Sequence, residues 1–273
     1  MVSKRAEAGS REDPTIYPVD ELVPESSQHD RITALLRELV QRWHDTRGIR
    51  AFVGSSQFIY WVQYVPANCV APDLYVLPGV APDEGVTAWK VWETGIRPSF
   101  TLEVVSNSDP DKDYVRVPKR CAELGVEELV VFDPQPEEAP HRHRWQVFRR
   151  QGGSKLTAVE VSDDDRVRSE VLGCWLRAVG AGTAQRLRLG LPPSGDVLFP
   201  TGEEAERAAR LAAEAKQKAA EAEREAERNA REPAEARHEA ERKAHEAERS
   251  AREAAEAERD ALLRELERLR PKR

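Results

Sequence analysis

Between residues 29 and 46, apolar side chains fall at Ile32, Leu35, Leu36, Leu39, Val40 and Trp43. This three-four spacing lines one face of a helix and predicts one over 29–46. Ser27, with the acidic Glu25 before it, is expected to cap the start, and Gly48 to mark the end. Beyond it the apolar residues shorten into β-branched and aromatic runs at 49–53, 58–65, 74–77, 100–105 and 129–132, which predict strands. A helix is predicted over 115–124, ahead of the last of these. Runs at 145–148 and 156–161, parted by Gly152, Gly153 and Ser154, predict a hairpin. Strands and helices in this order predict an α+β domain with a central mixed sheet and flanking helices.

The texture changes at Thr201. All six Trp, five Tyr and six Phe precede it, whereas residues 201–273 hold 21 Ala, 20 Asp or Glu and 18 Lys or Arg. These are strong helix formers, and glycine is absent from 203 to 270. The tail is therefore predicted to be a long Ala/Glu/Arg-rich helix, with a kink or break at Pro233, which lacks an N–H and clashes with the preceding turn. Ala240, Ala244, Ala247, Ala251, Ala254 and Ala261 repeat at four-three spacing, and Leu262, Leu266 and Leu269 form an apolar stripe. Two readings stay open here: a coiled coil that joins copies of the chain into a homo-oligomer, or a solvated single helix held by charge pairs. Three segments result: a disordered N-terminus at 1–14, a globular domain at 15–200 and the helical tail at 201–273.

Charge and cysteine narrow the classes. The 42 basic and 49 acidic side chains give a net charge of −7, so no global positive field draws nucleic acid to the whole surface, and any contact with it must be local. Three widely spaced cysteines, Cys69, Cys121 and Cys174, suit buried reduced thiols rather than a disulfide framework or a zinc site. No run approaches the roughly 18 apolar residues of a membrane span, and the first residues lack the apolar core of a signal peptide. The expected location is the cytoplasm, with no membrane partner.

Two acids stand where strands should be apolar. Asp73 opens the run Pro72-Asp73-Leu74-Tyr75-Val76-Leu77, and Glu103 interrupts Phe100-Thr101-Leu102-Glu103-Val104-Val105. A partly desolvated carboxylate is costly unless a cation or donors compensate it. A shared divalent cation would compensate both, since oxygen ligands and water suit Mg²⁺ or Mn²⁺ acting on phosphates. The plainer alternatives are a turn residue after Pro72 for Asp73 and an edge strand with one wet face for Glu103.

The strings VAPDLYVLPGV, WETGIRPSFTLEVVSNS and DYVRVPKRCAELGVEELVVFDP, preceded by YPVDELVPESSQHDRI, resemble the Uma-type restriction endonuclease family of the PD-(D/E)xK nuclease superfamily. The likeness runs over residues 17–202, and the order GDVLFPTGEE followed by an Ala/Glu/Arg helix is also similar. It implies a restriction-endonuclease-like core in which Asp73 and Glu103, with the backbone carbonyl of Val104, hold the metal. The superfamily lysine two positions after the glutamate is replaced by Val105. Lys119, at a position where the family commonly has a lysine, is the implied substitute, with Asp113 and Glu25 as auxiliary acids.

The implied activity is metal-dependent hydrolysis of DNA by Asp73, Glu103 and Lys119. The rival is a catalytically silent nuclease fold that binds partners through its helical tail; RNA or another phosphodiester is the alternative substrate. Elsewhere the plainer readings prevail. His29 reads as a residue packing or capping the helix start, and His141 and His143 as part of a polar loop. Arg142, Arg144, Arg149 and Arg150 read either as a phosphate contact or as a solvated hairpin face. Ser106, Asn107 and Ser108 read as a loop at the strand end.

Overall fold

The computed structural model describes residues 13, 15–18, 26–82, 85–106, 112–153 and 155–269, with only the backbone of Ala230 and of 266–269. The expectations for residues 1–12, Glu25, Asn107, Ser108 and Ser154 fall outside these. The chain divides into two compact units, Met1–Ala205 and Glu206–Arg273.

In the first unit, helix α1 spans Ser27–Thr46. Its cap is Ser26 rather than Ser27. Ser26 keeps an extended backbone and its hydroxyl accepts from the His29 N–H at 3.2 Å, whereas Ser27 is already helical. The chain leaves α1 through Arg47 and Gly48, the latter at φ 66°.

Strands β1 (Ala51–Gly54), β2 (Phe58–Tyr60), β3 (Cys69–Val70), β4 (Leu74–Pro78) and β5 (Ala88–Lys90) follow. The short helix α2 (Val91–Thr94) leads to β6 (Phe100–Val104). A π-helical segment, Lys112–Arg116, runs directly into α3 (Val117–Leu124) and then β7 (Glu128–Phe132). Strands β8 (Trp145–Arg150), β9 (Leu156–Ser162), β10 (Arg166–Ser169), β11 (Cys174–Val179) and β12 (Arg186–Gly190) complete the unit. Six strands form the central sheet in the order β1-β4-β6-β7-β8-β9, mixed because β6 and β7 alone are parallel. Two three-stranded sheets, β3-β2-β5 and β10-β11-β12, flank it.

Period-two alternation along the central strands divides the core. Leu74, Val76, Phe100, Leu102 and Val104 join Ile32, Leu36, Leu39, Val40 and Trp43 of α1 and the apolar side of β10-β11-β12. Tyr75, Leu77, Val105, Leu129 and Val131 instead meet Val117, Cys121 and Leu124 of α3, with Ile59, Val70 and Trp89 of the small sheet.

Some expectations change. The predicted strand 58–65 stops at Tyr60, and the chain turns beyond it, with Tyr64 at φ 64°. The strands β10 to β12 and the β5–α2 unit had no counterpart in the sequence reading. The three cysteines are free thiols, with Cys121 and Cys174 buried and Cys69 partly so.

In the second unit, α4 (Gly202–Leu269) runs for 68 residues and continues through Pro233. The predicted break is absent: proline removes one main-chain hydrogen bond, and long runs of Ala, Glu and Arg on both sides carry the helix past it. Every described side chain from Glu206 to Glu265 is exposed. The helix carries i,i+4 pairs such as Arg210–Glu214 at 3.1 Å and Lys243–Glu239 at 2.9 Å, each worth about 0.3–0.5 kcal/mol. Among the described residues, no helix is long and apolar enough to cross a membrane.

Candidate active site

The two acids singled out by the strand pattern meet. Strands β4 and β6 are antiparallel with Leu74 opposite Leu102, so continuing the register by one residue sets Asp73 opposite Glu103. Facing residues in such a ladder have Cα atoms about 4.5–5.5 Å apart and side chains on one face. That face is the α3 side of the sheet, because Thr101, two residues before Glu103, contacts the Cys121 thiol at 3.7 Å. Glu103 itself is 2% exposed and Asp73 6%. Burial, and next the charge of Glu103, push the Cys121 thiol well above its ordinary range.

The edge-strand reading of Glu103 fails, whereas Asp73 does sit in a bend after Pro72 but has partners beyond it. Glu103 lies on an interior strand, with β4 on one side and β7 on the other. Asp73 is more than a turn former. Its Oδ2 accepts from the Val104 N–H at 2.7 Å, in place of a main-chain acceptor where the β4 ladder ends. Its Oδ1 lies 3.0 Å from Nε2 of His29.

A third acid arrives from the π-helical segment. Asp113 is 3% exposed, and its Oδ2 accepts from the Ser106 N–H at 2.9 Å, just past the end of β6. Burial pushes its carboxyl up to about 6. The Ser106 N–H opposes that rise, the charge of Asp73 adds to it, and Lys112 and His29 counter it. The segment is pinned by the next residue: Tyr114 donates to Asp133 at 2.5 Å, and Arg142 grips the same carboxylate at 2.6 and 2.8 Å. Asp133 follows β7, so this lock ties the π-helical segment to the neighbouring strand. Short π-helical insertions recur at functional sites.

The structure thus brings Asp73, Glu103 and Asp113 to one end of β6. It does not bring Lys119 there. Lys119 is exposed, and at 100° per residue it points about 200° from Val117, which faces the core. Val105 is buried at 3% exposure in the apolar core, so no charge occupies the superfamily lysine position. The lysine whose charge acts on Asp113 is its chain neighbour Lys112, which the sequence reading missed because it sits in a polar run with no periodic signal. His29 is packed at the start of α1, as read from the sequence, and its ring also faces Asp73, a partner the stripe with Ile32 and Leu36 did not reveal.

Three of the four clustered arginines are engaged within the fold rather than forming a freely solvated face. Arg142 is buried against Asp133, Arg149 pairs with Glu128 at 2.7 Å, and Arg150 donates to the carbonyls of Val126 and Ala122. Only Arg144 keeps largely to the exposed loop, where it bonds Asp163 and Asp164.

The donors at the end of β6 are chemically suited to a hard cation. Asp73 and Glu103 supply carboxylate oxygens. The Val104 carbonyl lies on the same strand edge as the Val104 N–H that Asp73 accepts. Among the described residues, no group of three or more His, Cys, Asp or Glu side chains is placed to hold a metal ion. A set built here would be two carboxylates and a carbonyl completed by water, a mixture that Mg²⁺ accepts.

Two comparisons with known proteins found a likeness. Residues 18–179 match the Uma2 family, described as “Putative restriction endonuclease”. Among solved structures, the crystal structure of “a putative nuclease belonging to DUF820” from Anabaena variabilis is similar with a TM-score of 0.39 and 15% identity, covering 55% of this chain and 75% of that one. No curated protein matches the chain.

Proposed function

We propose that this chain, which belongs to the Uma2 family, is an endonuclease that hydrolyses DNA phosphodiester bonds with Mg²⁺ or Mn²⁺ held by Asp73, Glu103 and the Val104 carbonyl. The observation that carries this reading is the facing of two buried carboxylates across β4 and β6, with a third, Asp113, beside them. Clustered buried acids repel one another and are costly to desolvate, so a shared cation is the economical reason for the arrangement. A bound divalent cation lowers the pKa of water and offsets charge on the phosphate.

The protein's own groups do the rest. His29 and the Val104 N–H hold the Asp73 carboxylate in one orientation. Asp113, fixed through Ser106, closes the end of the strand. Lys112, whose charge acts on Asp113, supplies an ammonium suited to meeting a phosphate oxygen. The helix α4, with no core of its own, is the part of the chain suited to joining copies. Removing the residues after Ala205 is then expected to lower the mass seen by light scattering, and an unchanged mass would count against self-association through α4.

Nicking of supercoiled plasmid is the direct test. The full chain is expected to nick in Mg²⁺ or Mn²⁺ and not in EDTA. Asp73→Asn and Glu103→Gln should each lower the rate by about 10²-fold or more. A folded wild type inert in both metals, on DNA and on RNA, overturns the reading. It would favour the silent nuclease fold, for which the buried Val105 is the motivating observation.

A further inference from the structure

The segment that delivers Asp113 to the site has a second face. From Lys112 to Glu123 the chain is continuously helical, first π and then α. Its inner side carries Asp113, Val117, Cys121 and Leu124, all buried. Its outer side carries Arg116 and Lys119, both exposed, and Arg120, partly exposed. At 100° per residue these three cations fall within an arc of about 100°. One acid shares the arc, Glu123, and it is 3.6 Å from Arg120.

We infer that this outer face, running from the buried acids through Arg116 and Lys119 to Arg120, is the seat of the DNA phosphate backbone, and that it ends at Trp61. The inference deepens the nuclease reading and rests on it. On a chain of net charge −7, a strip of three cations beside a cluster of buried carboxylates is a local reversal of sign. A polyanion needs such a reversal to approach those acids. Lys119 makes no ion pair among the described residues, so its charge is available to a phosphate.

Arg120 is fixed from the far side. Its guanidinium lies 5.9 Å from the Trp61 ring centroid and donates to Asn68 Oδ1 at 3.3 Å. The partly exposed Trp61, packed against the α3-side core and under this guanidinium, thus closes the strip at its far end. From Asp113 to Arg120 the helix rises about 11 Å, close to three nucleotides of a strand at roughly 3.4 Å each. Lys119 therefore serves in positioning the substrate.

The test is binding, read apart from cutting. A labelled DNA duplex is titrated with the full chain in EDTA over a range of salt, and anisotropy gives the affinity. Arg116→Glu with Lys119→Glu should weaken binding more than tenfold and flatten the dependence of log K on log salt by about 2, near 0.9 for each phosphate no longer neutralised. The same charge change at two exposed arginines of α1, Arg31→Glu with Arg37→Glu, should leave the slope near that of wild type. Should the double variant fail to fold, Lys119→Gln alone removes one exposed charge and should flatten the slope by about 0.9. An unchanged slope, an equal loss in the α1 control, or a wild type that binds no DNA overturns the inference. Binding that depends on Arg116 and Lys119 in a chain that never nicks leaves the inference standing and removes the nuclease reading. Nicking indifferent to both reversals does the opposite.

Discussion

Two groups of buried acids lie a few residues apart on neighbouring strands and are compensated in different ways. Glu128 opens β7 and Asp133 follows it, both fully buried, and each meets an arginine. Arg149 pairs with Glu128, which also accepts from the Ser169 hydroxyl and the Glu170 N–H. Arg142 and Tyr114 close on Asp133. Asp73 and Asp113, at the ends of β4 and β6, are met by main-chain N–H groups, an imidazole and the field of a lysine. A guanidinium fork saturates a carboxylate and leaves little for a ligand to take. The softer compensation at the end of β6 leaves oxygens that a cation can share. What separates structural acids from candidate ligands here is the kind of partner, since both groups are buried.

The largest way to break this contrast is to remove a fork. Arg142→Ala strands the Asp133 carboxylate and frees Tyr114, and should cost about 3–5 kcal/mol in urea unfolding. A loss under about 1 kcal/mol would show that the Asp133 lock is ornamental and that depth says nothing about role. Because Tyr114 adjoins Asp113, the variant should also loosen the site itself.

A change of opposite sign is expected at Asp113. Its folded-state carboxyl is raised to about 6, so the folded protein holds that proton more tightly than the unfolded chain does. Stability from this group is complete below the ordinary carboxyl range and is lost as pH rises from about 4 through 6. Asp113→Asn, measured without metal, should remove that decline and gain on the order of 3 kcal/mol at pH 7. Its amide oxygen can still accept from Ser106. A variant less stable than wild type at pH 7 would put Asp113 among the structural acids.

Much of this was legible from residues that broke a pattern. Glu103 amid Leu102, Val104 and Val105 had no turn to explain it, and the neighbouring strand supplied Asp73 at the facing register. Periodicity found α1 and most of the central sheet, because those elements bury one consistent stripe or face. It passed over β10 to β12, where Arg166, Arg168, Arg186 and Arg188 alternate with Val167, Leu187 and Leu189. The polar half of that alternation is long and basic, so the strands read as a charged stretch. The fate of Arg142, Arg149 and Arg150 could not be read at all, since each depends on a partner brought in by tertiary pairing. Lys112 stood in plain view as the chain neighbour of Asp113, and was passed over because the burial of Asp113 was not legible in that polar run. Pro233 taught the reverse, a local rule overridden by the helix formers around it.

The smallest effect isolates pairing from depth. Asp163 has partners like those of the buried acids: it accepts from the Arg144 N–H at 2.9 Å and lies 3.2 Å from His143 Nδ1. These contacts, the Arg144 N–H foremost, hold its carboxyl below the usual range, so its contribution is present at neutral pH and fades as pH falls through the folded value. Its side chain is nevertheless 62% exposed, and water screens what the partners provide. Asp163→Asn should therefore change unfolding free energy by less than about 0.5 kcal/mol at pH 7. A cost near that of Arg142→Ala would mean that partners alone set the energetics, and that burial adds nothing to what a carboxylate's partners provide.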